Sequence, residues 1–363
     1  MIDSISIHNF KLFLDVNQRL APLTLLTGLN GRGKSTLVQA ILLAWHSISA
    51  REPALVLNND LVNLGRFADI IPWNREDMKI SLTITMNGQE FGLRPTFIPV
   101  EVVNEDYALC DALLPDSDFS LPRFQYLSAY RMGNMQAYPT ASQALRRNSL
   151  SERCGDGLAT ARFLYEHASS PIAIPALARD TEKSLLLGDQ VNAWLKLISP
   201  DLNVQSKPAG DGSYQLRYSL AEELLHTPLT ANAPNVGYGI TYALPILTAL
   251  LSTPPGGIVM IDTPEAHVHP SGQAGLMDII SLAVAHGVQV ILETHSDHIV
   301  NGVLRNLKSQ ILNEKAVSML FFDRDEETGK ALIEPQRISS QGRIIHPSPG
   351  FFDQYMIDLD KLL

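Results

Sequence analysis

One short stretch of the chain has the residue types and spacing to hold phosphate groups. Residues 28–36, Gly-Leu-Asn-Gly-Arg-Gly-Lys-Ser-Thr, fit the pattern G-x-x-x-x-G-K-[ST]. Glycines let backbone N–H groups turn inward, the lysine amine reaches the β- and γ-phosphates, and the next hydroxyl binds Mg²⁺. A chance glycine turn is the competing interpretation. We predict that ATP is bound by Gly28, Asn30, Gly31, Gly33, Lys34, Ser35 and Thr36, with Ser35 also a magnesium ligand.

Two acidic residues end apolar runs later in the chain. The run 257–261 is followed by Asp262, and the run 288–292 by Glu293. Such runs predict strands of a parallel sheet that deliver their last residue to the edge where ligands bind. Asp262 is therefore predicted to hold Mg²⁺ through water, opposite Ser35. Capping of the following helix is the alternative role for this acid.

The glycine loop needs a strand before it and a helix after it to hold its residues in place. An apolar, β-branched run at 23–27 predicts the strand before the glycine loop, and helical spacing predicts the helix at 37–50. A helix at 271–285 joins the two acid-bearing strands, so these strands must be parallel and linked by a right-handed crossover.

The rest of the chain carries both strand and helix patterns. Alternating residues predict strands over 1–27 and over 79–85, the latter ending in the hairpin signal Asn87-Gly88. Helical spacing at 162–167 and 189–198, with frequent Pro and Gly, predicts a mostly helical inserted lobe. The alternating segment 214–220 is interpreted as a strand returning to the core, and 317–322 as a strand before a polar hairpin.

Composition limits the function classes. The 363 residues carry a net charge of −10, which argues against a broadly basic nucleic-acid face. The two cysteines have no metal-ligand spacing and are interpreted as reduced thiols. The start lacks a signal-peptide pattern, and the longest apolar run, 240–251, is too short to span a bilayer. We expect a cytoplasmic protein.

Together these motifs resemble those of ABC-type ATPases of the standalone AAA group, relatives of the OLD, RecF and SMC head proteins. The resemblance extends over almost the whole chain. It rests on five segments: an N-terminal strand motif (7–11), an ABC signature variant (235–241), a Walker B and D-loop segment (262–270), a switch-histidine loop (293–296) and a Gly-Phe-Phe-Asp-Gln ending (350–354). The ending is like that of an uncharacterised C-terminal module.

The resemblance implies an α/β fold of the ABC-type P-loop class. Its mixed sheet would have helices on both faces, an antiparallel N-terminal region and the inserted helical lobe. We expect four segments: the first part of the core with the P-loop (1–131), the lobe (132–212), the second part of the core (213–322), and a C-terminal hairpin and tail (323–363).

The base for hydrolysis departs from the family pattern. ABC enzymes usually place a glutamate directly after the Walker B aspartate, but this position is Thr263 here. Glu265 is the nearest carboxylate that could orient or deprotonate water, with Glu293 as its competitor. A helix N-terminal acid is the alternative interpretation of Glu265. The departure predicts slow, Mg²⁺-dependent ATP hydrolysis.

The resemblance also gives roles to a histidine and two glycines. His295 would contact the γ-phosphate and report its presence. Gly237 and Gly239, at a predicted helix N-terminus, would complete the ATP site of the opposite subunit in a homodimer; a glycine turn before a core helix is the alternative. A metal site formed with neighbouring histidines is a weaker alternative, and it would use His267, His269 and His298.

Basic and acidic residues elsewhere carry weaker signals. A group of arginines around the lobe is interpreted as solvated surface, with a nucleic-acid or partner face as the alternative: Arg123, Arg131, Arg146, Arg147 and Arg153. The segment 322–325, Phe-Asp-Arg-Asp, is similar to an acidic metal motif but fits a polar hairpin more simply.

Three functions follow from this pattern. The first is an ATP-driven switch that dimerises around ATP and controls a separate protein effector, such as a nuclease or toxin, in anti-phage defence or DNA maintenance. The second is a RecF-like repair ATPase that acts directly on DNA. The third, a small-molecule kinase, fits less well because a kinase needs a pocket for the phosphate acceptor and does not need a signature loop.

Overall fold

A computed structural model describes residues 1–72, 77–146, 149–179, 184–220, 229–325, 330–352 and 359–362. The strands are β1 (Ile2–Phe10), β2 (Phe13–Arg19), β3 (Leu23–Gly28), β4 (Ala54–Val56), β5 (Lys79–Met86), β6 (Gln89–Phe97), β7 (Tyr107–Leu109), β8 (Ala112–Leu113), β9 (Phe124–Leu127), β10 (Leu202–Pro208), β11 (Tyr214–Leu220), β12 (Leu229–Asn232), β13 (Ile258–Asp262), β14 (Gln289–Glu293), β15 (Val317–Arg324), β16 (Ala331–Ile338) and β17 (Ile344–Ile345). The α-helices are α1 (Lys34–Ala50), α2 (Phe67–Ile70), α3 (Ser142–Arg146), α4 (Thr160–His167), α5 (Leu187–Leu195), α6 (Tyr238–Ser252), α7 (Pro270–Ala285) and α8 (Asp297–Lys308).

The chain divides into two compact units, each made of segments that are distant in sequence. The first unit contains Met1–Leu121, Val317–Ser339 and Ile344–Leu363, and the second contains Pro122–Ala316 and Ser340–Arg343. These divisions fall at other positions than the four predicted segments, whose boundaries stay a prediction.

The N-terminal part of the first unit is an antiparallel sheet in the order β2-β1-β5-β6-β8. The alternation of β1 buries Ile5 and Ile7, which are 0% and 2% exposed, on one face. The predicted hairpin joins β5 to β6 through Asn87 (φ 51°) and Gly88 (φ 75°). Positive φ at both positions is what a two-residue turn of the I′ type requires, so the Asn-Gly signal is confirmed.

The strand before the glycine loop belongs to the same unit. β3 pairs in parallel with β15, and β15 continues antiparallel to β16 and β17. The first five residues of β3 are buried, as expected for a strand covered on both faces. α1 follows the loop, and twelve of its residues are buried, which makes it a core helix.

The two acid-bearing strands lie in the second unit. β13 pairs in parallel with both β14 and β9, so the three strands have the order β14-β13-β9. Every residue of β14 and the first four of β13 are buried. α7 connects β13 to β14, and α8 follows β14. The predicted parallel arrangement is therefore confirmed.

The inserted region of the second unit contains α3, α4 and α5 together with β10. The predicted strand 214–220 is confirmed as β11, but the prediction that it returns to the core sheet was wrong. β11 pairs antiparallel with β10 and β12 in a separate three-stranded sheet. The alternation of β11 identified a strand, whereas its sheet depends on partners that are remote from that pattern. Within the described ranges, no helix has both the length and the apolar character to cross a membrane.

Candidate nucleotide site

The candidate phosphate-binding element is the glycine loop of the first unit. The side chain of Lys34 is buried, and its Nζ donates hydrogen bonds to the carbonyl oxygens of Gly28 and Leu29, both at 2.8 Å. The amine is thus held inside the loop rather than extended into solvent. Ser35, one residue later, is exposed.

Two glycines of the loop are required by its backbone. Gly28 has φ 121°, and an added Cβ would lie 2.2 Å from the carbonyl oxygen of Phe322. Gly33 has φ 110° and is the N-cap of α1. Side chains at these positions would meet both backbone strain and, at Gly28, a backbone atom that cannot move away.

The loop fits a phosphate group. α1 is 17 residues long, so its dipole places positive potential at its first turn. Within the described residues, no side chain caps this turn and no acidic residue lies in it. Backbone N–H groups at a helix N-terminus, with a lysine amine beside them, are the donors that polyphosphate recognition uses.

The acidic segment 322–325 has a simpler role than metal binding. Asp323, on β15, pairs with Arg32 of the loop, with 3.5 Å between Oδ1 and Nε. β15 continues into antiparallel β16, as a hairpin requires, although residues 326–329 lie outside the described residues.

The acidic residues that the sequence singles out lie in the second unit, at the carboxyl ends of β13 and β14. Asp262 and Glu293 are register partners in these parallel strands. The N–H of Thr263 donates to the carbonyl oxygen of Glu293 at 2.9 Å, which ties the two strand ends together. Asp262 is partly exposed, whereas Glu293 is 6% exposed. Both acids therefore reach the sheet edge, as predicted, and Asp262 is the more accessible.

The turn after β13 places Glu265 beside the switch-histidine loop. Thr263 has φ 47° and Pro264 follows it, so the chain reverses within two residues. The N–H of His295 donates to Glu265 Oε1 at 2.7 Å. Glu265 Oε2 is buried and accepts no hydrogen bond from the described residues. The structure thus brings two predicted catalytic residues, Glu265 and His295, together.

Burial raises the pKa of Glu265 above its ordinary value. The N–H groups of His295 and of Glu265 itself, the Thr294 hydroxyl and, more weakly, the positive charge of Arg131 oppose this shift. A desolvated carboxylate is a stronger proton acceptor than one in water, which is the property that a general base needs.

Replacement of Glu265 by glutamine is expected to leave the melting temperature unchanged or raise it by up to about 2 °C at neutral pH. Glutamine keeps an oxygen for the His295 N–H but removes the cost of burying a charge. Glu265→Ala, the control, leaves this N–H without its acceptor and should lower the melting temperature. Scanning calorimetry checks both variants.

The pH dependence of this effect has a definite sign. Because the folded-state pKa of Glu265 is raised, the cost of its charge is full at neutral pH and disappears as the pH falls through the folded and unfolded pKa values. The difference in melting temperature between Glu265→Gln and the wild type should therefore shrink on acidification. A difference that grows would contradict the assignment.

The signature-like loop precedes α6 in the second unit, as predicted. Gly237 is the N-cap of this helix and is exposed, and a Cβ added to it would meet only open space. A Cβ on Gly239, by contrast, would lie 2.3 Å from the carbonyl oxygen of His267. The first turn of α6 therefore packs closely against the turn that follows β13.

The neighbouring histidines have structural contacts. The ring of His267 packs edge-on against Tyr242, with 4.7 Å between centroids. His269 caps α7 by accepting from the N–H of Ser271 at 3.3 Å. The described part of the chain contains no group of three or more His, Cys, Asp or Glu side chains placed to hold a metal ion.

Arg131 corrects the interpretation of the arginine group as surface. It is fully buried, at 0% exposure, and donates to backbone carbonyls at the end of β13. Arg123 is half-buried and Arg153 is exposed, while Arg147 and the side chain of Arg146 lie outside the described residues. Arg131 follows β9, which pairs with the acid-bearing strand β13 only in the folded chain, so no local signal in the sequence identifies it as buried.

Comparison with known families decides the relationship. A family model described as "AAA domain, putative AbiEii toxin, Type IV TA system" matches residues 23–301, which include the glycine loop, Asp262 and Glu293. The chain belongs to this AAA family. A second model, for a protein family of unknown function (DUF3696), matches residues 312–362 of the AAA protein. The resemblance of the Gly-Phe-Phe-Asp-Gln ending to a particular module stays a prediction, and residues 353–358 lie outside the described residues.

Solved structures similar to the AAA protein include SMC head domains. The SMC head bound to the C-winged helix domain of ScpA is 12% identical, with 92% of this chain and 98% of that chain covered and a TM-score of 0.54. An SMC head with an extended coiled coil, bound to the C-terminal domain of ScpA from Pyrococcus furiosus, is 11% identical over 99% of both chains, with a TM-score of 0.49. No curated protein matches the chain.

These comparisons confirm the predicted fold class, an ABC-type P-loop ATPase with a mixed sheet. At 12% identity, the structural likeness concerns the fold alone. Family membership implies nucleotide binding and usually Mg²⁺. The Ser35 hydroxyl and the Asp262 carboxylate are each an oxygen donor of the type that Mg²⁺ prefers, and a joint role for them stays a prediction.

Proposed function

We propose that this AAA protein is an ATP-binding and ATP-hydrolysing switch that dimerises around ATP and controls a separate protein effector. The observation that carries the proposal is Glu265, whose raised pKa and hydrogen bond from the His295 N–H fit a water-orienting base. Nucleotide binding alone would require only the glycine loop. A desolvated carboxylate beside His295 supports hydrolysis as well.

Each site residue has a role in this proposal. Lys34 and the loop N–H groups bind the phosphates, and Ser35 and Asp262 hold Mg²⁺, which neutralises charge on the phosphate oxygens when bound. Glu265 orients water and accepts its proton. His295, exposed beside Glu265, contacts the γ-phosphate and reports its presence.

The family description supports a context for the proposed switch. That description names a toxin of a type IV toxin–antitoxin system, and the SMC head structures are bound to ScpA. These words concern other proteins, but they support a paired effector in anti-phage defence or DNA maintenance in the cytoplasm. No specific observation favours direct action on DNA, and the burial of Arg131 removes one cation from the predicted basic face.

The dimer can be tested at Gly237. The wild-type protein should change from monomer to dimer when a non-hydrolysable ATP analogue is added, as seen by light scattering. Gly237→Glu should stay monomeric while still binding nucleotide, because the new carboxylate repels the partner's phosphates. An added Cβ has open space at Gly237, so the monomer should tolerate the change.

Asn301→Glu is the matched control, since it adds the same charge to an exposed position of α8 in the same unit. This variant should dimerise like the wild type. A wild-type protein that stays monomeric at saturating analogue and micromolar concentration would contradict the proposed dimer. ATPase activity that rises strongly with added DNA would instead support the RecF-like alternative.

A further inference from the structure

Arg131 is a buried cation in the interior of the second unit. The residue follows β9 and is 0% exposed. Burial lowers the pKa of Arg131 to about 10, so the guanidinium still carries its charge at neutral pH. Taking a guanidinium out of water is costly, and an apolar side chain would fill this space at a lower cost. The charge must therefore be compensated by specific contacts.

The compensating contacts are backbone carbonyls from three separate elements. Nη1 donates to the oxygens of Ser128 at 3.0 Å and Asp262 at 2.7 Å, and Nη2 donates to the oxygen of Thr263 at 2.8 Å. Nε donates to the oxygen of Tyr242, in the first turns of α6, at 3.0 Å. The guanidinium also lies over the Tyr242 ring, 5.3 Å from its centroid.

Two further contacts join the same elements without Arg131. The backbone of Gly239 approaches the carbonyl of His267 so closely that a Cβ would clash at 2.3 Å. The Tyr242 ring packs against the His267 ring on the same side. The start of α6 and the turn after β13 therefore contact each other directly, in addition to the hydrogen bonds that both accept from Arg131.

We infer that Arg131 is a positioning residue that fixes the turn carrying Asp262 and Glu265 relative to the start of α6, which carries Gly237 and Gly239. The inference rests on the proposed function, because these are its hydrolytic turn and its signature loop. Through Arg131, a displacement of the α6 N-terminus is transmitted to the backbone that orients Glu265.

Arginine is the side chain that this arrangement requires. Its planar guanidinium presents donors in a fixed fork, so that one group can donate to carbonyl oxygens just after β9, at the end of β13 and in α6 at the same time. A lysine amine carries a similar charge but has three donors on a single atom, which cannot reach all four oxygens at hydrogen-bond distance. Arg131→Lys therefore keeps the charge and removes the link.

The matched control is Arg123→Lys. Arg123 lies just before the other end of β9, and its Nη1 donates to the carbonyl of Ser252 at the far end of α6, 3.1 Å away. It is also an arginine that binds a backbone carbonyl of the same helix, although it is half-buried whereas Arg131 is fully buried. It lies at the opposite strand end from Asp262, so its replacement should not affect the turn.

The first measurement is amide hydrogen exchange on the nucleotide-free protein. In Arg131→Lys, residues 238–242 and 263–268 should exchange about tenfold faster or more, because they lose buried hydrogen bonds to a charged donor. Arg123→Lys should leave both segments unchanged. Unchanged exchange in Arg131→Lys, or an equal increase throughout the chain, would overturn the inference in favour of a merely structural arginine.

The second measurement is ATP turnover. Arg131→Lys should lower kcat about tenfold or more and leave KM within about threefold, since the phosphate-binding loop is unchanged. A rise in KM with unchanged kcat would overturn the inference. If the wild type does not hydrolyse ATP, the proposed function fails, but the exchange experiment still decides whether Arg131 links the two segments.

Gly239→Ala covers the case in which Arg131→Lys does not fold. This variant keeps the guanidinium and pushes the start of α6 away from the His267 carbonyl. The same two segments should then exchange faster. An exchange pattern like that of the wild type would count against the coupling.

Discussion

Lys34→Ala is expected to lower the affinity for ATP by about a hundredfold or more, which amounts to the loss of measurable nucleotide binding. The amine acts as a point charge on the phosphates and is already held in place by the carbonyls of Gly28 and Leu29. Binding therefore requires little ordering of the lysine side chain, and its full charge is available to the ligand. Isothermal titration calorimetry with ATP and Mg²⁺ measures the effect.

Two further variants make this result specific. Lys79→Ala removes an exposed lysine from β5 of the same unit and should bind ATP like the wild type. Lys34→Met keeps the buried stem of the side chain and removes only the charged end, so its folding should be preserved. Wild-type affinity in a folded Lys34→Met protein would contradict the role of the glycine loop and, with it, the whole proposed function.

The parts of the fold that could be predicted from the sequence are those with local physical causes. The Asn87-Gly88 turn depends on two residues that tolerate positive φ, and both adopt it. The apolar runs that became β3, β13 and β14 are buried because such runs have no polar face to present to water. The strand-end acids then follow from the parallel arrangement.

The parts that could not be predicted depend on distant partners. The pattern of β11 gives its bounds but not the identity of its neighbouring strands. The burial of Arg131 depends on carbonyls of Ser128, Tyr242, Asp262 and Thr263, which come together only in the folded second unit. An arginine in sequence is most often a surface residue, and nothing local contradicts that interpretation.

In the proposed function, the departure at Thr263 makes Glu265 the decisive residue for hydrolysis. The left-handed backbone of Thr263 and the proline after it turn the chain so that Glu265 reaches the His295 loop. A glutamate two positions later than usual thus still lies near the end of β13. Its Oε1 already accepts the His295 N–H, which holds the carboxylate in this position.

Glu265→Gln is expected to keep ATP affinity and lower turnover by about a hundredfold or more, the scale expected for the loss of a general base. Glutamine preserves the acceptor for the His295 N–H, so the local structure should be retained while proton transfer is lost. With binding intact and hydrolysis blocked, ATP itself should hold the variant as a dimer. Single-turnover kinetics and light scattering in ATP measure the two effects.

Glu293→Gln separates the two candidate bases. Glu293 is 6% exposed at the end of β14, and its carbonyl already fixes the turn through the Thr263 N–H. Since that bond involves the backbone, the substitution leaves it in place and tests only the carboxylate. If Glu293→Gln abolishes turnover while Glu265→Gln hydrolyses ATP normally, the base is the carboxylate of the switch-histidine loop. The raised pKa of Glu265 would then reflect burial alone.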